Sequence, residues 1–281
     1  MKQAILITAY KNPNQLLELV KNFSPEHFAI YVHWDKKTMR ECSATFLHSL
    51  PQNVSFHSIY RVNWGGINHL KAILFLLREG LKAEENYFFH LITGEDLPLK
   101  SETYFMNTLD TSKSYLEFTG YPPSHLPASF QDNLDYYNFF DLFDAKKYLK
   151  VLRLLKNIQK KIRLKRSNEF SHNFLKYGST YWSLKRLHAK YIQDYTEENP
   201  QFLNRLKFTF CPEEIYVPTL LANAPLDSDI ENDNLRYIRW SRSGKSGSPD
   251  YLNQEDFIHL SKNNAYLFGR KFSAPLSQLM K

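Results

Sequence analysis

Two adjacent carboxylates, Glu213 and Glu214, interrupt a hydrophobic stretch that runs from Phe208 to Leu221. One carboxylate of this kind can serve as a general base that takes a proton from an attacking hydroxyl group. Pro212 is tolerated in the first turn of a helix, and apolar residues continue beyond the acids. Acids in such a first turn also stabilise the helix start by about 0.3–1 kcal/mol, so the spacing leaves both interpretations open.

Polar residues also follow two predicted buried strands. Asp35 comes two residues after the end of the apolar run Phe28–His33, and Asp96 comes shortly after Tyr87–Ile92. In open α/β sheets, ligands bind beyond the carboxyl ends of the strands, so we expect a nucleotide to be held there. A solvated loop is the alternative interpretation for Asp35.

The remaining elements that must position these side chains alternate between strands and helices. Phe208–Phe210 are predicted to form a short strand, and the two glutamates are predicted to lie where this strand gives way to a helix. The other predicted elements are a strand at Ala4–Ala9, a helix capped at Asn12 and running to Val20, a strand at Val54–His57, a helix at His69–Arg78 and a strand at Tyr177–Leu184. Tyr121–Asp144 reads as loop and short helix, where interleaved aromatic and acidic residues are typical either of a sugar site or of a small satellite core. The pattern predicts an α/β fold.

Length and composition favour one domain spanning residues 1–281. The chain has 281 residues, of which 43% are hydrophobic and 15% aromatic, and this is enough for a sizeable core. Neither a signal peptide nor an apolar run of about 18 residues is evident, so we expect a cytoplasmic protein. Its two cysteines, Cys42 and Cys211, are too few for a disulfide framework or a zinc site and agree with a reducing compartment.

The net charge of +7 comes from one segment, Lys146–Arg166, which holds ten of the 36 basic residues and no acid. The rest of the chain has 26 basic and 29 acidic residues, which argues against a nucleic-acid-binding protein, whose working face would be basic. Apolar residues recur in the segment at helical spacing, at Tyr148, Leu152, Leu155, Ile158 and Ile162. Such a basic amphipathic helix is typical of a peripheral anchor on an anionic membrane; an ordinary surface helix is the alternative.

Taken together, these residues resemble the core-2/I-branching family of β-1,6-N-acetylglucosaminyltransferases, which includes peptide xylosyltransferases. The resemblance covers nearly the whole chain through seven short motifs in the order of the family: Tyr31–Lys37, Asn63–Gly66, Leu91–Pro98, Gly178–Ser179, Cys211–Glu214, Leu235–Trp240 and Ala265–Phe272. It implies a single-domain GT-A fold with a mixed sheet flanked by helices. It also implies a UDP-sugar donor and transfer with inversion at the anomeric carbon, to a hydroxyl group of a glycan acceptor.

The resemblance also implies roles for individual residues. Glu214 matches the catalytic base of the family. Asp35 matches a nucleotide-contacting residue and Lys271 a cation placed against the diphosphate; the donor side further includes His33, Trp64 and Arg270. Trp240 matches an aromatic residue on the acceptor side, to which we also assign Asp96, Gly178, Ser179 and Glu213.

Two departures from the family are informative. Its animal members have a second diphosphate-binding arginine where this chain has Gly247, and Lys245 is a candidate substitute. The animal members also have many cysteines and an N-terminal membrane anchor, and neither feature is evident in this sequence. We therefore expect a bacterial relative that acts in the cytoplasm, on the inner face of the membrane.

We predict that no metal cofactor is needed, although most GT-A enzymes hold a metal with a DxD motif. This chain contains Asp227-Ser-Asp229, but the motif follows Glu214, whereas the usual DxD closes a strand in the nucleotide-binding half. We therefore expect metal-independent transfer to an oligosaccharide or lipid-linked glycan of the cell surface, such as capsule or lipopolysaccharide. The alternative is a non-catalytic nucleotide- or glycan-binding module on the same fold.

Overall fold

A seven-stranded mixed sheet lies at the centre of the fold. The computed structural model describes residues 1–167, 170, 173–225, 229–240, 248–273 and 278, without the side chains of residues 145 and 146. Its strands are β1 (Lys2–Ala9), β2 (Phe28–Trp34), β3 (Val54–His57), β4 (Asn86–Thr93), β5 (Asp96–Pro98), β6 (Ser114–Gly120), β7 (Lys176–Lys185), β8 (Ile230–Glu231), β9 (Arg236–Ile238) and β10 (Phe268–Arg270). The order in the large sheet is β3-β2-β1-β4-β7-β6-β8, and β5-β10-β9 form a small second sheet. This architecture confirms the predicted mixed α/β class.

Strand direction divides the large sheet into two parts. β1 to β4 are mutually parallel, whereas β7 lies antiparallel between β4 and β6. β1 is central and almost wholly buried, as its apolar sequence predicts for a strand covered on both faces. The ends of β1 to β4 define what we call the carboxyl edge of the sheet. Because β7 is antiparallel, its first residues lie at this same edge, beside the end of β6.

Helices cover both faces of the sheet. Those of the described chain are α1 (Pro13–Val20), α2 (Ala44–Ser49), α3 (Ile67–Leu81), α4 (Glu102–Asn107), α5 (Asp132–Asp135), α6 (Ala145–Lys161), α7 (Arg186–Glu198), α8 (Pro200–Arg205), α9 (Glu213–Ala222) and α10 (Gln254–Ser261). One apolar cluster joins α3, α7, α8 and α9 to the sheet, and a second joins α1, α2, α4 and α10 to it. The site described below lies where α3 and α9 begin.

The predicted strand at Phe208–Phe210 is wrong. These residues form a turn, in which Phe208 has a φ of 60°, and Cys211 after them has a φ of 49°. Left-handed backbone cannot continue a strand, and it is strained for residues other than glycine. The apolar character of the stretch arises from packing, since Phe210 contacts the rings of Trp64 and Phe140. The carboxylates therefore follow a strained turn.

Two smaller predictions also need correction. Asn12 precedes α1 as expected, but its φ is 55° and its side chain makes no capping hydrogen bond to the helix backbone. The basic segment forms helix α6 only as far as Lys161, so Ile162 and the basic residues after it lie beyond the helix. The apolar residues within the helix differ in exposure. Leu152 is buried, whereas Tyr148 and Ile158 are about half exposed.

Candidate active site

Glu213 is tied to the carboxyl edge through His69, in the first turn of α3. The Nδ1 atom of His69 lies 2.9 Å from Oε1 of Glu213, and its Nε2 atom lies 3.4 Å from Oγ1 of Thr8, near the end of β1. Glu213 is only 6% exposed, and its Oε2 atom has no hydrogen-bond partner within the described part of the chain. A buried carboxylate oxygen without a partner is costly, so this atom is suited to accept a hydrogen bond from a ligand hydroxyl group.

Glu214 points to a different partner. Its Oε2 atom accepts a hydrogen bond of 2.8 Å from the Tyr177 hydroxyl, at the start of β7. Burial and the adjacent charge of Glu213 raise the pKa of Glu214 to about 8, and the bond from Tyr177 opposes this rise. A carboxylate whose pKa is near neutral is well matched to general-base work, because it is a strong proton acceptor that is still partly ionised at working pH.

The turn before α9 is locked to the predicted glycine motif. The backbone N–H of Cys211 donates to the carbonyl of Gly65 at 3.0 Å. Gly65 has a φ of 76°, and a Cβ atom there would lie 2.6 Å from the ring of Phe210. Asp141 also connects the start of α3 to the turn before α9, because its carboxylate accepts hydrogen bonds from the N–H groups of Ile67 and Phe208. The start of α3 and the approach to Glu214 thus form one unit.

Gly178 acts through close packing between strands. A Cβ atom at this position would lie 2.0 Å from the carbonyl oxygen of Glu117 on β6, so no other residue fits without a shift of the backbone. The pairing of β6 and β7 is irregular next to this contact. Ser179 uses its hydroxyl group locally, where it accepts from the N–H of Tyr181. The role of both residues in acceptor binding stays a prediction.

Asp96 and Arg270 form a buried ion pair at the end of β4. Asp96 is 1% exposed, and its Oδ1 atom lies 2.6 Å from Nη1 of Arg270. Its carboxylate also accepts from the N–H and hydroxyl groups of Thr93. The guanidinium of Arg270 stacks over Tyr181, at 4.9 Å from the ring centre. These contacts position the turn after β4 against β10; direct binding of acceptor by Asp96 and of donor by Arg270 stays a prediction.

Tyr181 contacts Arg270 of this ion pair and is near enough to the two glutamates for their charges to act on its hydroxyl group. Burial raises the pKa of its hydroxyl group, and the charges that also act on this pKa are those of Arg270, Asp96, Glu213 and Glu214. The structure therefore brings together four predicted site residues around a tyrosine that the sequence did not single out.

Lys271 belongs to a neighbouring cluster of cations. Its Nζ atom lies 4.4 Å from the ring centre of Tyr251, whose hydroxyl donates to Glu95 at 2.9 Å. Lys11, which follows β1, places its Nζ atom 3.0 Å from the same Glu95 carboxylate. Positive groups thus follow the ends of β1 and β10. The placement of Lys271 against a diphosphate stays a prediction. Lys245, the other predicted cation, lies outside the described residues.

The predicted nucleotide residues lie at the end of β2. Asp35 is 4% exposed, and its Oδ1 atom accepts from the N–H groups of Lys37 and Val62 at 2.9 and 3.1 Å. The Nε2 atom of His33 accepts from two backbone N–H groups, and burial together with the charge of His69 lowers the pKa of His33 to about 4. The ring is therefore neutral, and its described bonds support the loop after β3.

The two predicted tryptophans differ in their surroundings. Trp64 is 45% exposed and packs edge-on against Phe210, at the turn that leads to the glutamates. Trp240 is 60% exposed and follows β9, where it forms an isolated bridge to Pro249. Both present ring surface to solvent; their binding roles stay predictions.

Asp229 lies at the opposite end of the sheet. Its Oδ2 atom lies 2.6 Å from Nζ of Lys185, at the end of β7, and its carbonyl accepts from the N–H of Ser114, at the start of β6. Lys185 pairs with Phe88 near the start of β4, which is the end of that strand remote from the carboxyl edge. Asp227 lies outside the described residues. Asp229 is thus separated from the glutamates by the length of the sheet.

Sequence reasoning missed three residues of the site: His69, Tyr177 and Tyr181. His69 and Tyr177 stand next to predicted motifs, at the start of a helix and beside Gly178, but only the fold shows which carboxylate each one contacts. Their proximity to glycines at strand and helix starts was the available signal.

Comparison with known proteins identifies the family. The profile of the Core-2/I-Branching enzyme family matches residues 4–260. The chain belongs to the Core-2/I-Branching enzyme family. It is therefore a member of a glycosyltransferase family, and its mixed sheet agrees with the GT-A architecture that the resemblance implies.

The similarity to solved structures is low, both in sequence identity and in TM-score. TarS from S. aureus is 16% identical, with a TM-score of 0.29; the match covers 46% of this chain and 39% of that one, so the chain spans about two fifths of the TarS structure. TarS bound to UDP-GlcNAc is 14% identical, with a TM-score of 0.30 over 46% of this chain and 38% of that one. LgtC, in the form of an active-site mutant, is 8% identical with a TM-score of 0.41 over 97% of this chain and 88% of that one. No curated protein sequence matches this one.

Proposed function

We propose that this member of the Core-2/I-Branching enzyme family is an inverting glycosyltransferase that moves a sugar from a UDP-sugar to a hydroxyl group. The observation that carries the proposal is the carboxylate pair at the carboxyl edge. Glu214 is held by Tyr177 at 2.8 Å with a pKa raised to about 8 by burial and by Glu213. Glu213 has one oxygen bonded to His69 and one without a described partner.

In the proposed reaction the acceptor oxygen attacks the anomeric carbon of the donor from the face opposite the diphosphate. The bond between that carbon and the phosphate oxygen breaks, and its electron pair leaves with UDP. The acceptor proton passes to Glu214. A single displacement needs one base and no covalent intermediate, and it converts an α-linked donor into a β-glycoside. Glu213 accepts a hydrogen bond from a sugar hydroxyl group through Oε2.

Charge that develops on the departing UDP is stabilised in this proposal by fixed cations. Lys271 is the principal group, with Arg270 beside it and Lys245 as a further candidate. The transfer is proposed to need no divalent metal. Support comes from the position of Asp229, which pairs with Lys185 at the end of the sheet remote from Glu214.

The acceptor is proposed to be a glycan of the bacterial cell surface, capsule or lipopolysaccharide, assembled on a lipid carrier at the inner face of the membrane. Within the described residues, the structure contains no helix long and apolar enough to span a bilayer. Peripheral contact with anionic lipid is supported by α6, on which Val151, Leu154 and Ile158 are 51%, 58% and 46% exposed. Lys147, Lys150 and Lys161 flank this apolar row at helical spacing. Apolar side chains can enter the lipid interface while the lysines meet the headgroups.

Release of UDP from a panel of UDP-sugars, with and without glycan acceptors, tests the proposal. We expect turnover with at least one donor, and Glu214→Gln should lower it by about 10²- to 10⁴-fold while donor affinity stays within a few-fold of wild type. The alternative, a non-catalytic nucleotide- or glycan-binding module, predicts retention of UDP-sugar without release of UDP. Near-normal turnover of Glu214→Gln combined with loss in Glu213→Gln would move the base to Glu213.

A further inference from the structure

The Tyr177 hydroxyl group occupies one of the two oxygens of the Glu214 carboxylate. The bond is 2.8 Å long and joins β7 to the first turn of α9, 37 residues later. Glu214 accepts no other side-chain hydrogen bond within the described part of the chain. Its Oε1 atom is therefore the oxygen that remains for a substrate.

The framework around Tyr177 fixes this bond. The N–H of Lys176 donates to Oγ1 of Thr219 at 2.9 Å, and the Thr219 hydroxyl lies 3.3 Å from the carbonyl of Lys176. Thr219 lies on α9, as Glu214 does, so strand and helix are held together beside Tyr177. The rings of Tyr177 and Phe130 pack edge to face, with ring centres 5.0 Å apart. Gly178 allows β7 to approach β6, because a Cβ atom there would meet the backbone of Glu117.

We propose that Tyr177 is a positioning residue that holds the Glu214 carboxylate by Oε2 and so directs Oε1 toward the acceptor hydroxyl group. This inference rests on the proposed role of Glu214 as the base. A carboxylate turns easily about its last torsion, because rotation of such a group meets only a broad and shallow barrier. A donor that is fixed by two packed elements removes that freedom and keeps one oxygen available for proton transfer.

The same bond has a consequence for titration. Within the described residues, the titratable groups that act on or face the Glu214 carboxyl are Glu213, Cys211, Tyr177 and Tyr181. Burial raises the pKa of both tyrosines and of the thiol, so these three are neutral at pH 7 to 9. Tyr177 is the group that donates to ionised Glu214, and its loss leaves burial and the charge of Glu213 unopposed. The pKa of Glu214 must then rise.

The test compares wild type with Tyr177→Phe by two measurements. One is the pH dependence of UDP release with a donor that wild type uses. The other is the titration of the Glu214 carboxyl carbon by NMR of protein labelled with ¹³C-glutamate, with the signal assigned by its loss in Glu214→Gln. Tyr216→Phe is the matched control, because it also removes a buried hydroxyl group from this region, one that bonds Thr196 at 2.9 Å and not Glu214.

We expect Tyr177→Phe to move both the titration midpoint and the acidic limb of the rate upward by about one pH unit, since a hydrogen bond to a charged group has about that effect. The rate at pH 7 should then fall by more than about tenfold and recover only in part at high pH, because the freed carboxylate no longer directs Oε1 to the acceptor, while Tyr216→Phe moves neither curve. A folded Tyr177→Phe protein with an unmoved midpoint overturns the proposal, and so does full recovery of the wild-type rate at high pH. If Tyr177→Phe does not fold, Thr219→Val takes its place, because it removes the hydroxyl group that ties α9 to Lys176 of β7. An unmoved Glu214 midpoint in the folded Thr219→Val protein then overturns the proposal.

A midpoint that moves without any effect on the rate has a separate meaning. It supports the contact between Tyr177 and Glu214 and overturns the assignment of Glu214 as the base. The NMR measurement therefore separates failure of this inference from failure of the proposed function.

Discussion

The pH dependence of transfer is the most direct consequence of the site. With a pKa of about 8, about one tenth of Glu214 is ionised at pH 7 and about nine tenths at pH 9. Only the ionised form can take the acceptor proton, so the rate at saturating substrate should rise about tenfold between these two pH values. The rate rises rather than falls with pH because burial and the charge of Glu213 both favour the protonated form of Glu214, which cannot act as a base.

Glu213→Gln provides the perturbation that checks this explanation. It removes the negative charge next to Glu214, so the pKa of Glu214 falls and the acidic limb of the pH–rate curve moves to lower pH. The limb should move even if the rate at high pH drops through loss of a sugar contact. Initial rates of UDP release from pH 6 to 9.5 at constant ionic strength measure both effects. Glu231→Gln is the control, since Glu231 pairs with Lys113 far from the carboxyl edge and should leave the limb in place. A rate that is flat from pH 6 to 9, or a limb that moves up in Glu213→Gln, would refute the reasoning.

Three further predictions concern leaving group, membrane and fold. Lys271→Ala should lower turnover severely without rescue by Mg²⁺ or Mn²⁺; complete loss of wild-type activity in excess EDTA, restored by Mn²⁺, would instead indicate a metal site. Replacing four basic residues of α6 by Gln should release the protein from anionic vesicles in a sedimentation assay; the residues are Lys147, Lys150, Arg153 and Lys161. Each replacement should weaken vesicle binding by about 1 kcal/mol, while activity on a soluble acceptor persists. Equal vesicle binding by the mutant and the wild type would contradict the membrane contact. Gly178→Ala should destabilise the fold by about 3 kcal/mol in thermal or denaturant unfolding. Gly120→Ala, where a Cβ atom meets nothing within 4 Å, should have little effect, and equal stability of the two variants would count against the close approach of Gly178 to Glu117.

The strands of the parallel half could be predicted from sequence because their signal is local. Apolar runs without alternation indicate strands that are buried on both faces, and β2 and β4 extend only one or two residues beyond their predicted ends. α3 begins two residues before its predicted start, at the glycine pair that the sequence marked. Each of these assignments depends on neighbours within one element.

The turn at Phe208–Cys211 could not be predicted in this way. Its aromatic residues have the pattern of a strand, and nothing in that pattern shows that two of its residues have positive φ. The conformation is imposed by partners distant in sequence, such as the Asp141 carboxylate that accepts from Phe208 and the Gly65 carbonyl that accepts from Cys211. The contact between Tyr177 and Glu214 was equally hidden, because it depends on how β7 lies against α9.

The surroundings of the two glutamates argue for Glu214 as the base. Glu213 faces an imidazole nitrogen of His69, which offers its negative charge a donor and, when protonated, a counter-charge. Glu214 has only a neutral phenol as its described partner, together with the like charge of Glu213 beside it. The ionised form of Glu214 is therefore disfavoured both by burial and by its charged neighbour, as suits a group that must take up a proton. In the proposed mechanism, adjacent acids at the start of one helix thus have different tasks, with Glu213 accepting a hydrogen bond from a substrate hydroxyl group and Glu214 gaining and losing the proton in each turnover.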